Sequence, residues 1–418
     1  MILSQLAETL IGSEIVKLGN TISERVRNGE KIYNFTIGDF DPEIFPIPKE
    51  LENEIIEAYK KHYTNYPPAD GIAELRSAVS GFLKEWEDIE YADNEILIAA
   101  GGRPLIYTIF KTIVDKGDKV IYATPSWNNN HYVHMTEGVH CLIEAAPENN
   151  FMPLAAEIAP HIPGAMLICL CSPQNPTGTT LIKEELEKIC DLVIEENKKR
   201  GPYEKKLYVM YDQMYWTLTY GQTQHYNPVS LRSDMKEYTI FVDGISKAFA
   251  ATGVRVGWSL GPAHVIAKMK AILSHLGAWS PMAEQKATAK FLMQKESIDK
   301  YLVHFKAEVE ERLRKIYEGF VGLKNEGFAV DAVSPQAAIY LTIKFNLVGK
   351  TIKDGKILKN QSEVTDYLLS EGKLAVVPFY AFGADKESPW YRLSVGTCKK
   401  EEINEMLGIL KQALNKLD

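Results

Sequence analysis

Lys247 stands in the turn Asp243-Gly244-Ile245-Ser246-Lys247-Ala248-Phe249, behind the apolar run 238–242 and eight residues ahead of Arg255. A lysine held among small residues, rather than on a charged face, is an amine placed near an electrophile. Arg255, in Gly253-Val254-Arg255-Val256-Gly257-Trp258, adds a fixed cation at short range. Together they suit a Schiff-base lysine beside a phosphate-bearing cofactor. The ordinary alternative is a solvated surface lysine, so the pattern needs company.

Other segments supply it. Asn175-Pro176-Thr177-Gly178 follows the apolar run 165–171, and Asp212 closes the run 206–211 with Tyr215 three residues on. Strand, polar tip and helix-like pattern, repeated three times, place Asn175, Asp212, Tyr215 and Lys247 along one sheet edge. In open α/β sheets ligands bind at the carboxyl edge. A carboxylate there is partly desolvated and needs a cationic partner; otherwise Asp212 is a helix cap. Gly101-Gly102-Arg103 follows another apolar run, with Pro104 in the expected first helical turn, so its backbone N–H groups can hold an anion.

On these motifs the chain resembles the fold type I pyridoxal-phosphate enzymes of the class I/II aminotransferase family. That family carries an Asn-Pro-x-Gly turn, Asp-x-x-Tyr after a strand, Ser-Lys, and an arginine eight residues beyond the lysine. The resemblance spans nearly the whole chain. It implies pyridoxal 5'-phosphate as cofactor and exchange of an amino group between an L-amino acid and a 2-oxo acid. It implies that Lys247 forms the aldimine and moves the substrate α-proton, that Asp212 pairs with the ring nitrogen, and that Tyr215 and Asn175 hydrogen-bond the phenolic oxygen. Gly102, Arg103, Ser246 and Arg255 would form the phosphate cup, and Trp127 would stack on the ring. Arg392, in Trp390-Tyr391-Arg392-Leu393, would grip the substrate α-carboxylate with a planar fork that lysine cannot copy, beside the Gly38 backbone. Tyr66 would reach the phosphate in a neighbouring subunit's site, which implies a homodimer.

Two departures stand out. Gly244 occupies a position where many relatives place Ser or Thr, so one phosphate contact is expected to be missing or taken by water. The segment 271–300 holds no arginine, although the dicarboxylate-specific branch commonly uses one there. By that route no large preference for aspartate is expected, and Trp279, Trp127, Phe35 and Tyr33 are available for an apolar side-chain pocket. A carbon–sulfur β-lyase would use the same lysine and cofactor. A non-catalytic, cofactor-binding sensor would ordinarily carry a DNA-binding segment ahead of the first catalytic strand.

The elements that must position these residues follow from periodicity. β-rich apolar runs recur at 95–100, 119–123, 140–144, 165–171, 206–211, 238–242 and 255–260, separated by amphipathic segments such as Lys183–Lys199. The expected fold is α/β: a large, mainly parallel sheet domain covered by helices, and a smaller α+β domain. The large domain is expected over 49–297. The smaller one combines 1–48 with 298–418, where strand-like stretches at 337–345, 373–379 and 391–396 precede a closing helix. With 418 residues the chain is long enough for two lobes with a site between them.

Composition excludes other classes. Net charge is -8 and no basic block appears, which argues against nucleic acid. Of the five cysteines no pair has metal-site spacing, and His131 and His134 lack a third ligand, so no metal is expected. No GxGxxG is present, and Val348-Gly349-Lys350-Thr351 lacks the earlier glycine of a P-loop. Neither a signal segment nor an apolar run of bilayer length is evident, so the expected location is cytoplasmic and off the membrane.

Overall fold

Every one of the seven apolar runs becomes a strand of a single sheet. The computed structural model describes residues 3–10, 12, 14–353 and 355–418. After a short β1 (Tyr33–Asn34) come β2 (Ile96–Ala99), β3 (Lys119–Thr124), β4 (Val139–Glu144), β5 (Ala165–Cys171), β6 (Tyr208–Asp212), β7 (Thr239–Gly244) and β8 (Gly257–Leu260). These last seven lie in the order β2-β8-β7-β6-β5-β3-β4. Pairings from β7 through to β4 are parallel, whereas β8 runs antiparallel to both β7 and β2.

Side-chain alternation sorts this sheet into two faces. Ile168, Leu170, Tyr211 and Phe241 pack in one core cluster with the helices Ala73–Glu87 and Lys183–Lys199. Leu167, Cys169, Met210, Ile240 and Val242 pack in another with the helices Gly102–Ile113 and Ala263–Leu276. Coverage on both faces explains why the strands read as continuous apolar runs.

The expected helix behind each polar tip is not uniform. A helix follows β5, but β7 leads only into the four-residue helix Ile245–Ala248, and no helix directly follows β6. The Asp212 carboxylate accepts the Met214 N–H at 3.0 Å, and turns from Gln213 O to Trp216 N–H and from Tyr215 O to Leu218 N–H continue the segment. Such side-chain-to-backbone bonding offers the chain an alternative to helix. Tyr215 is thereby held next to the strand end.

A second sheet comprises β9 (Val330–Ala332), β10 (Tyr340–Phe345), β12 (Val377–Pro378) and β13 (Trp390–Ser394), antiparallel in the order β12-β13-β10-β9. The remaining β11 (Leu374–Ala375) pairs in parallel with β1, which ties the amino-terminal segment to the carboxyl-terminal part. Arg392 lies in register with Thr342 on one side and Val377 on the other.

Three glycines bring the strands close where the site forms. A methyl group on Gly244 would lie 2.7 Å from the Gly257 Cα, and one on Gly257 would lie 2.8 Å from the Gly101 Cα. The end of β7, the start of β8 and the entry to the helix Gly102–Ile113 therefore touch backbone to backbone, which only glycine permits. Gly101 also adopts φ +86 as the residue capping that helix.

Candidate active site

A cavity of about 420 Å³ opens at the carboxyl ends of β5, β6 and β7. It is lined by Gly38, Gly102, Arg103, Trp127, Asn175, Asp212, Tyr215, Ser246, Lys247, Arg255 and Arg392. Of the site residues expected from sequence, only Tyr66 lies elsewhere. It is 83% exposed, its ring set edge-on to Trp279, and it does not line its own chain's cavity.

The Lys247 amine donates to the Gly38 carbonyl at 2.5 Å and lies near the Phe40 and Tyr215 rings. Burial pushes its pKa down to about 8, against the pull of Asp39 and with help from Arg392, Arg103 and Arg255. At pH 7 roughly a tenth of such amines are neutral, far more than for a solvated lysine. Asp212 is the converse case: burial raises its carboxyl to about 6, opposed by the Met214 N–H. Among the described residues no cation pairs with it.

Arg392 is fully buried and meets no carboxylate among the described residues. Its Nη1 donates to Asn175 Oδ1 at 3.0 Å and its Nη2 to the Thr36 carbonyl at 2.7 Å, while Nε has no hydrogen-bond partner. The guanidinium sits against the Tyr340 ring at 4.7 Å and the Phe382 ring at 5.0 Å. Because the Asn175 oxygen is occupied by Arg392, its NH₂ group is left as the free donor. Burial lowers the Arg392 pKa, the signature of a desolvated cation that an incoming carboxylate would relieve.

At the other end of the cavity, Arg255 adopts φ +63 and donates to the Ala100 carbonyl at 2.6 Å and the Thr252 carbonyl at 2.7 Å. Its guanidinium fills the space over Gly101, where a Cβ would collide with it. Beside it the first backbone N–H groups of the helix Gly102–Ile113 and the buried Ser246 hydroxyl complete a cationic, donor-rich recess.

The pocket expectation changes on contact with the structure. Tyr33 and Phe35 are buried in the main core and Trp279 lies beside Tyr66, so of the four proposed pocket aromatics Trp127 alone lines the cavity. β1 pairs with β11, and its flanking rings turn into the core rather than toward the site. At position 244 the missing hydroxyl has a steric cause, since any side chain would strike β8. Asp39, Thr252 and Tyr340 line the cavity without having been singled out. Asp39 adjoins Gly38 in sequence and accepts the Thr252 hydroxyl at 2.6 Å, so adjacency was an available clue. Tyr340 reads as an ordinary strand aromatic.

These features fit pyridoxal 5'-phosphate. A buried carboxylate without a cation suits a protonated ring nitrogen, a lysine of depressed pKa suits an aldehyde, and the recess at Arg255 suits a phosphate. The profile of the family "Aminotransferase class I and II" matches residues 30–410. The chain belongs to the class I and II aminotransferases. An aspartate aminotransferase of Bacillus sp. (strain YM-2) is 28% identical over 420 residues, covering 100% of this chain and 98% of that protein. The solved aspartate aminotransferase of Rhizobium meliloti superposes with a TM-score of 0.88 at 25% identity, covering 100% of both chains. That of Thermus thermophilus, solved with maleate, gives 0.86 at 26% identity over 99% of this chain and 100% of the other. This aminotransferase therefore has the fold type I architecture and depends on pyridoxal 5'-phosphate, and its substrates are amino acids and 2-oxo acids.

Proposed function

We propose that this aminotransferase prefers dicarboxylic amino acids, works as a homodimer, and resides in the cytoplasm. The observation that carries the substrate reading is Arg103. Arg103 is an exposed residue at the cavity wall, its guanidinium over the Trp127 ring at 5.3 Å, and among the described residues it meets no carboxylate. Arg392 supplies one cationic subsite and Arg103 a second, so a substrate with two carboxylates can engage both. The absence of arginine from 271–300 does not remove a distal cation, because this one comes from the helix Gly102–Ile113. The relatives named as aspartate aminotransferases, one of them solved with the dicarboxylate maleate, support the same reading.

The bound cofactor supplies an electron sink for charge released at the substrate α-carbon. Lys247 would hold the cofactor through its amine, and the freed amine would be placed to take the substrate α-proton; its low pKa suits both tasks. Asp212 would keep the ring nitrogen protonated. Tyr215 and the NH₂ of Asn175 would donate to the phenolic oxygen, and Trp127 would cover the ring. Gly102, the Arg103 backbone, Ser246 and Arg255 would hold the phosphate. Arg392, beside Gly38, fixes the α-carboxylate and so orients the bond to be broken.

The homodimer reading rests on Tyr59, Tyr63 and Tyr66, exposed together beside residues 279–286. An aromatic surface of this kind marks an association face. Five free cysteines suit a reducing compartment.

The test is kcat/KM for aspartate, glutamate, leucine and phenylalanine with a common 2-oxo acid. Aspartate and glutamate should lead, and Arg103→Gln should cut that lead by roughly 10- to 100-fold while leaving leucine nearly unchanged. An undiminished lead in Arg103→Gln would remove Arg103 as the distal subsite.

A further inference from the structure

The Tyr340 hydroxyl lies 2.6 Å from that of Tyr215, with both rings buried. That is a short, well-formed O–H···O separation between two nearly buried side chains at the cavity wall. Tyr340 opens β10 in the smaller sheet, whereas Tyr215 follows β6 of the large one, so this bond spans the two sheets. The same Tyr340 ring carries the Arg392 guanidinium on its face at 4.7 Å. Its hydroxyl also abuts the backbone at Gly38, where a Cβ would lie 2.9 Å from it, and the Gly38 carbonyl accepts the Lys247 amine.

We infer that Tyr340 is a positioning residue: its hydroxyl orients the Tyr215 hydroxyl toward the cofactor's phenolic oxygen, while its ring seats Arg392. The inference rests on the cofactor role proposed for Tyr215. A phenol has one hydrogen to give and two lone pairs to receive with. Once Tyr215 spends its hydrogen on the phenolic oxygen, the bond between the two tyrosines survives only if Tyr340 donates to Tyr215. A donor that is itself accepting a hydrogen bond is a stronger donor, and the effect is large where the dielectric is low. Tyr340 thus strengthens the contact that stabilises the deprotonated phenolic oxygen, while the same side chain supports the arginine that binds substrate.

The two roles separate by substitution. Tyr340→Phe removes the hydroxyl and keeps the ring; Tyr340→Leu removes both. In the holoenzyme, the pH midpoint of the bound-cofactor absorbance should rise in Tyr340→Phe by roughly half to one unit, with KM for the amino donor changed less than about 3-fold. Tyr340→Leu should raise KM by about 10-fold in addition. Tyr215→Phe should raise the midpoint at least as far, and adding Tyr340→Phe to it should raise it no further, because the two act through one bond. A midpoint that moves in Tyr215→Phe but stays in Tyr340→Phe would overturn the inference and leave the Tyr215 role standing. A midpoint unmoved in Tyr215→Phe would overturn that role and the inference with it.

Discussion

Burial works against the charged form of both Asp212 and Lys247. Asp212 has a folded pKa of about 6 against an ordinary 3.8, with burial as the cause. The folded state therefore binds its proton more tightly than the unfolded chain does. Its contribution to stability is full below about pH 4, declines as pH rises through 6, and leaves a penalty of about 3 kcal/mol above that. Asp212→Asn should accordingly stabilise the apoprotein at pH 8 and do little at pH 4, as read from urea midpoints. An equal shift at both pH values would show that the carboxyl is not desolvated. In the holoenzyme the same change should slow turnover by on the order of 10²-fold, because the ring nitrogen loses its charged partner. Lys247→Ala should fold and bind cofactor without a bond that borohydride can trap, and turnover should vanish. At this scale the chemistry was legible because Asn175, Asp212, Tyr215 and Lys247 each stand at a recognisable strand end. Tyr340 was not legible, since nothing in an alternating apolar strand marks which aromatic hydroxyl meets another across two sheets.

Strands and helix starts act here through their backbones. Gly244, Gly257 and Gly101 let β7, β8 and the helix Gly102–Ile113 meet, and that contact sets Lys247 beside the recess at Arg255. Gly244→Ala should force β7 from β8, lowering Tm by several degrees and weakening cofactor binding by about 10-fold or more. Gly253→Ala serves as the control, since a methyl group there meets open space and neither quantity should move. Similar losses in both variants would mean that the stack is not what positions the site. Strand positions were readable from apolar runs because both faces of the sheet are covered. The turn after β6 was not readable as such, because whether Asp212 caps a helix or bonds Met214 depends on how the next segment docks.

For the whole molecule, the proposed homodimer can be tested through Tyr66. Tyr66 is exposed and does not line its own chain's cavity, so under the proposed homodimer it would add a contact to the recess at Arg255 of a second copy. Tyr66→Phe should weaken cofactor binding several-fold without changing KM for the amino donor, and dilution should release cofactor in step with dissociation measured by light scattering. Cofactor retained fully by a monomer would overturn the dimer-dependent contact. The amino-acid sequence by itself determined the seven strands of the large sheet, its carboxyl edge as the site and a lysine placed beside a phosphate-bearing group, because these follow from periodicity and from residue types at strand ends, while the cofactor's identity came from the family resemblance of the motifs. Only the tertiary structure decided what sits between those residues. Arg392 is some 145 positions from Lys247 and reaches the cavity because β13 pairs with β10 and β12. Arg103 turns its side chain over Trp127, and Phe35 and Tyr33 turn theirs into the core. Side-chain direction depends on packing against distant elements, and a local pattern does not record it.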